Sequence, residues 1–145
     1  MIKCDAEYTI PSRYDAVREA LASLLTKLRE AGVGAEDTGT IELVLAEALN
    51  NVVEHAYKEN PDCSFVLTSS LVETGLSVRM TDSGVAMPGL ALPSGDLPEI
   101  DTGLQDLPEG GFGWALIHTL TEDLTYQRIN DQNVTSFVIP MTWED

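Results

Sequence analysis

Two stripes of apolar residues at helical spacing follow one another between residues 12 and 57, with no strand-like run between them, and this restricts the available folds more than any other feature. The first opens at Ser12, with Asp15 three residues later in a near capping box. It places Tyr14, Val17, Leu21, Leu24, Leu25 and Leu28 on one face, and Gly32 and Gly34 close it. The second runs from about Glu36 to Tyr57 with Ile41, Leu45, Ala48, Leu49, Val52 and Ala56 inward, and Asn60-Pro61-Asp62 stops it. Residues 5–10 alternate polar and apolar as an edge strand does. Strands are predicted near 64–72 and 75–82, joined at Glu73-Thr74-Gly75, and at 122–129 and 133–141 about a turn at Asn130-Asp131-Gln132. A short helix is predicted from Phe112 to about Leu120. The order β-α-α-β-β-loop-α-β-β is dominated by hairpins and lacks repeating βαβ units. It predicts an α+β two-layer sandwich with helices on one face of a mixed sheet.

The chain has 145 residues, of which 43% are hydrophobic, enough for one domain over 1–145 with a single core. Residues 83–111 differ in character: they hold Pro88, Pro93, Pro98 and Pro108 together with six glycines from Gly84 to Gly111. Within them a lid loop near 87–111 is expected, because long loops in compact domains usually carry function. The net charge of −16 repels phosphate backbones and anionic lipid, so nucleic acid and membrane surfaces are poor partners and a neutral or basic protein a better one. No run reaches the roughly 18 apolar residues of a membrane span, and Met1-Ile2-Lys3-Cys4-Asp5 has no signal-peptide core, so a cytoplasmic location is expected. Cys4 and Cys63 form no metal pattern and are expected to be idle thiols.

Three constellations carry chemistry. Glu47, Asn51 and His55 are spaced i, i+4, i+8 and drift only about 80° around a helix, so they form one polar row. A carboxamide oxygen is a hard ligand that Mg²⁺ accepts, and a carboxylate can orient or deprotonate an attacking hydroxyl; a solvated helix face is the competing reading. Asp82 continues the core-facing row Leu76, Val78, Met80, and a carboxylate there needs donors. An adenine amino group would serve, with Gly84 leaving room for the base; an Asp-Ser-Gly turn closing a strand is the alternative. Finally, Gly110-Gly111-Phe112-Gly113 opens a helix, where backbone N–H groups and the helix dipole favour an anion; a hinge is the plainer reading.

In order and spacing the three resemble the Asn box and the two glycine boxes of the GHKL ATPase superfamily. Leu45-Ala-Glu-Ala-Leu-Asn-Asn-Val-Val-Glu-His-Ala-Tyr57 and Gly111-Phe-Gly-Trp-Ala-Leu-Ile117 are similar to segments of the bacterial anti-sigma factor serine/threonine kinases. The resemblance implies a Bergerat, or histidine kinase-like ATPase, fold with ATP and Mg²⁺ as cofactors. It implies Glu47 as general base, Asn51 as Mg²⁺ ligand, and Asp82 reading adenine. Asn51, His55, Asp82, Gly84, Ala86, Gly111, Phe112, Gly113 and Leu116 would surround the nucleotide. The reaction it implies is phosphorylation of a Ser or Thr on a STAS-domain anti-anti-sigma protein, regulating a sigma factor by partner switching, in a homodimer. Trp114 and His118 are expected to serve packing and structure.

The sequence departs from that pattern in two places. Ala86 stands where the superfamily has a second glycine. No Lys or Arg occurs between Arg79 and Arg128, while Asp82, Asp96, Glu99, Asp101, Asp106, Glu109, Glu122 and Asp123 do, so ATP binding should be weak or strictly Mg²⁺-dependent. Lys58 is the basic residue nearest the Asn box. A catalytically inactive ATP-binding module that sequesters a regulatory protein is the alternative function. A sensor histidine kinase would need a helical hairpin presenting a phosphorylatable His.

Overall fold

The computed structural model describes residues 4–57, 60, 62–92 and 111–142. Five strands, β1 (Asp5–Pro11), β2 (Ser64–Val72), β3 (Gly75–Asp82), β4 (Glu122–Ile129) and β5 (Gln132–Pro140), form one sheet in the order β1-β2-β3-β5-β4. Three helices, α1 (Tyr14–Glu30), α2 (Ala35–Asn51) and α3 (Gly111–Leu120), accompany it. Along β2, β3 and β5 alternate residues are buried: Phe65, Leu67, Ser69 and Leu71; Leu76, Val78, Met80 and Asp82; Asn133, Thr135, Phe137 and Ile139. The apolar ones form one core with Val17, Leu24, Leu28, Ile41, Leu45 and Leu49 of the helices, so the helices cover a single face.

Every strand pair is antiparallel, which corrects the expectation of a mixed sheet. Connectivity supplies the reason. The α1–α2 hairpin returns the chain to the end where β1 stopped, so β2 must run the other way. β4 does run parallel to β3, but β5 inserts between them and pairs antiparallel with both.

The end of α1 shows why two helices fit without a strand. Gly32 sits in the left-handed region at φ 96°, the Gly32 N–H donates to the Arg29 carbonyl, and the Val33 N–H donates to that of Leu28. This is a Schellman cap, with Val33 and Leu28 both buried beneath it. The other end differs from expectation. Arg13, not Ser12, is the N-cap and makes no side-chain cap bond, while Asp15 accepts from the neighbouring Ala16 N–H. Ser12 extends the β1–β2 ladder by donating its N–H to the Cys63 carbonyl, which takes it out of the cap position. Tyr14, expected inward, is 39% exposed at the first turn of α1.

Among the described residues no helix is long and apolar enough to cross a membrane, and Cys4 and Cys63 are free thiols.

Candidate functional site

The polar row predicted for the second helix is interrupted. Regular α-helix ends at Asn51, and Val52–Ala56 forms a π turn, with the Tyr57 N–H donating to the Val52 carbonyl. His55 therefore lies in the π turn and outside the regular helix that carries Glu47 and Asn51. His55 is exposed, its Nε2 3.9 Å from a Glu54 carboxylate oxygen, whereas Glu47 is half-buried and Asn51 buried. The Asn51 Nδ2 is buried without a hydrogen-bond partner among the described residues.

The π turn also carries the attachment of the loop after β3. The Val85 N–H donates to the Ala56 carbonyl at 2.9 Å. A Cβ on Gly84 would lie 2.6 Å from the Ala56 carbonyl carbon, so only glycine allows this backbone approach. Contact with the helix end thus by itself requires glycine at position 84. Tyr57 adds a second attachment: its hydroxyl donates to the Ser64 carbonyl at 2.8 Å and accepts from the Ser83 N–H at 2.7 Å. Burial, the largest influence, raises the Tyr57 pKa.

Asp82 ends the buried row of β3 at 7% exposure. Its Oδ1 accepts from the Gly84 N–H at 2.9 Å and from the Asn133 Nδ2 at 2.8 Å. Burial raises its pKa, opposed by those two hydrogen bonds and by the charge of Arg128. Asn133, directly across from Asp82 on β5, also donates to the Val85 carbonyl at 2.8 Å. Arg128, directly across from Asn133 on β4, donates to the Gly84 carbonyl at 2.8 Å and to the Asn133 Oδ1 at 3.0 Å. The Tyr126 hydroxyl donates to that same Oδ1 and accepts from the Met87 N–H at 3.0 Å.

Sequence reasoning missed Asn133, Arg128, Tyr126 and Tyr57. One signal was present: Asn133 shares the core-facing parity of Thr135, Phe137 and Ile139, and a carboxamide in such a row requires partners. Arg128, far from Asp82 in sequence, also places a cation beside it.

The second glycine segment meets the Asn box directly. Gly113, in the first turn of α3, is buried, and a Cβ there would lie 2.6 Å from Oε2 of Glu47. Trp114, Ala115 and Ile117 are buried, Leu116 is half-buried and His118 exposed. Ala86 is half-buried in the loop after β3. Gly111 begins α3. The Phe112 side chain, Lys58 and the proposed lid from 93 to 110 lie outside the described residues. The structure thus sets Gly113 against Glu47 of α2, and Gly84, bonded to Asp82, against Ala56 in the π turn that follows Asn51, and leaves His55 at the surface.

The model of the histidine kinase-like ATPase domain matches residues 10–139. The chain belongs to this family. Within it, the ATPase domain is 29% identical over 130 residues to proteins named serine-protein kinase RsbW from Bacillus mycoides and Bacillus cereus, covering 89% of this chain and 79% of each relative. The resemblance to anti-sigma factor kinases of the GHKL superfamily, drawn from the three boxes, is thereby borne out. Two solved structures share the fold. One holds the RsbU and RsbW domains of a Mycobacterium tuberculosis protein, with a TM-score of 0.66 and 16% identity over 97% of this chain and 33% of that one. The other is the histidine kinase domain of a blue-light activated histidine kinase from Erythrobacter litoralis, with a TM-score of 0.52 and 20% identity over 90% of this chain and 61% of that one. The ATPase domain therefore spans a third and about three fifths of those two chains.

Proposed function

We propose that this ATPase domain binds Mg-ATP and phosphorylates a Ser or Thr of a STAS-domain anti-anti-sigma protein, regulating a sigma factor by partner switching. The observation that carries the reading is the convergence of Glu47, Asn51 and Gly113. The helix bearing the carboxylate and the carboxamide is met, at the carboxylate, by the glycine-opened turn of α3.

The residues fit the nucleotide and its metal. The Asn51 Nδ2, buried without a partner among the described residues, is a donor that a phosphate oxygen of the nucleotide would satisfy, while the oxygen of the same amide is of the kind Mg²⁺ accepts. Asp82 accepts two hydrogen bonds through Oδ1, and Oδ2 is the oxygen offered to an adenine amino group. Mg-ATP supplies the phosphoryl group that is transferred, and its metal offsets charge where carboxylates outnumber cations. Asn51 holds the metal through its carboxamide oxygen. Glu47 would accept the proton of the partner's hydroxyl as that oxygen forms its bond to the γ-phosphorus and the bond from that phosphorus to the β–γ bridging oxygen breaks, with ADP leaving. Backbone N–H groups at the start of α3, from Gly111 and Gly113, face the phosphates with the positive end of the helix dipole.

In this reading 1–145 acts as one domain in a cytoplasmic homodimer, with a lid within 87–111. Phe112, Leu116 and Ala86 line the nucleotide, and His55 contributes from the rim. The names of the Bacillus relatives support the kinase over the sequestering module, since they are serine-protein kinases.

The deciding experiment is phosphotransfer from Mg-ATP to a STAS-domain protein encoded near this chain. The Glu47→Ala variant should lose about 100-fold or more in transfer while binding Mg-ATP within a few-fold of the parent. Transfer retained in that variant would remove Glu47 from the base role. ATP binding without transfer by the parent would favour the sequestering module.

A further inference from the structure

One row of side chains crosses three strands beside the loop after β3: Asp82 on β3, Asn133 on β5 and Arg128 on β4, each directly opposite the next. The hairpin joining β4 and β5 fixes the second step. Asn130 and Asp131, at φ 50° and 64°, form a two-residue turn with both residues left-handed, so Ile129 pairs with Gln132 and Arg128 with Asn133.

The chemistry of the row leaves the central amide one orientation. Arg128 carries donors only, so the atom of Asn133 that meets its Nη1 must be the oxygen. An ionised Asp82 accepts only, so the atom that meets its Oδ1 must be the NH₂. The second proton of that NH₂ goes to the Val85 carbonyl, and the second donor to the oxygen is the Tyr126 hydroxyl. Asn133 is 4% exposed, so water competes poorly for these positions. The same Arg128 nitrogen holds the Gly84 carbonyl, and Tyr126 holds the Met87 N–H. Asn133, held from behind, thus engages Asp82 through one oxygen and leaves the other for a ligand.

We propose that Arg128 and Tyr126 are positioning residues for base recognition: by locking the Asn133 carboxamide they commit Oδ1 of Asp82 to the protein and present its Oδ2 to the exocyclic amino group of an adenine nucleotide. The inference rests on the nucleotide reading above. Neither residue needs to touch the nucleotide. Without Arg128 the Asn133 oxygen keeps only the Tyr126 hydroxyl and the Gly84 carbonyl loses its donor, so the amide and the loop beside Asp82 loosen and Asp82 loses its fixed aim. The effect is confined to the part of the affinity that depends on the amino group.

That confinement makes the test. The full chain is titrated by calorimetry with Mg-ATP and with Mg-purine riboside triphosphate, which lacks the 6-amino group. The parent should bind ATP more tightly. Arg128→Met should weaken ATP about 10-fold, as expected for loss of a charge-assisted hydrogen-bond arrangement, and the analogue by less than about 2-fold. Tyr126→Phe should act in the same direction to a smaller extent. Arg128→Lys, which keeps a donor-only cation, should retain most of the preference for ATP. If Arg128→Met fails to melt cooperatively, Tyr126→Phe and Arg128→Lys carry the same comparison. Equal weakening of both ligands, or an undiminished ATP preference in Arg128→Met and Tyr126→Phe, would overturn the positioning role alone. A parent that binds neither ligand would overturn the nucleotide reading, and this inference with it. A parent that binds both equally would overturn the role of Asp82 on which it depends.

Discussion

Gly113 of α3 faces the carboxylate of Glu47 on α2 so closely that a single added carbon would stand 2.6 Å from Oε2. The two come from segments more than sixty positions apart, and their contact joins the Asn box to the second glycine box. The threatened atom is the far end of a flexible side chain, so it can move aside at small cost to the fold. Gly113→Ala should therefore leave the melting temperature unchanged or raise it, since Ala exceeds Gly in helix propensity by about 1 kcal/mol. Phosphotransfer should fall about 10- to 100-fold, because a misplaced general base loses its geometry. Parallel melts and transfer assays check this, and a stability loss matching the activity loss would contradict it.

Gly84 is the opposite case. The Cβ of an alanine there would meet the backbone of Ala56, which the π turn and the Val85 hydrogen bond hold in place. Gly84→Ala should cost about 1–3 kcal/mol of unfolding free energy, the usual range for overpacking against an unyielding neighbour. Urea denaturation reads this directly. A change below about 0.5 kcal/mol would show that the loop relaxes away from the helix end.

Asn51→Leu removes a buried amide whose Nδ2 has no partner among the described residues and replaces it with an apolar side chain of similar shape. Stability should hold or rise by about 1 kcal/mol, because a buried polar group without a partner costs about 1–3 kcal/mol. Mg²⁺-dependent ATP binding should disappear. A variant that is both destabilised and still binds Mg-ATP would remove Asn51 from the metal site.

Asp82 sets a pH dependence. Its pKa in the folded chain is raised above the ordinary 3.8, chiefly by burial, so the folded chain holds the proton more readily than the unfolded chain. The contribution of this group to stability then falls as pH rises from the ordinary carboxylate value through the raised folded value, and is level above it. Asp82→Asn keeps an oxygen for the Gly84 N–H and the Asn133 Nδ2 but carries no charge. It should melt higher than the parent near neutral pH, with the margin shrinking on acidification through that window. ATP affinity should fall about 10-fold or more, since an amide N–H₂ would face the adenine amino group. A margin that grows on acidification would reverse the sign assigned here.

What could be read from the chain alone was whatever depends on local period. Helical stripes, strand alternation and the Gly32 stop located α1, α2, α3 and the five strands among the described residues, and parity placed Asp82 in the buried row of β3. Those signals act over a few residues, where side-chain direction follows from 3.6 or 2 residues per repeat. Tertiary structure alone decided the rest: the antiparallel sheet, the π turn at Val52–Ala56, the seat of Gly84 on Ala56, and the pairing of Asp82 with Asn133 across 51 positions. Register between distant segments is set when loops close and the core packs, so no local pattern encodes it. Asn133 carried a faint mark of its role as a polar residue in a core-facing row, but nothing local marked Arg128, which only the fold set behind the amide.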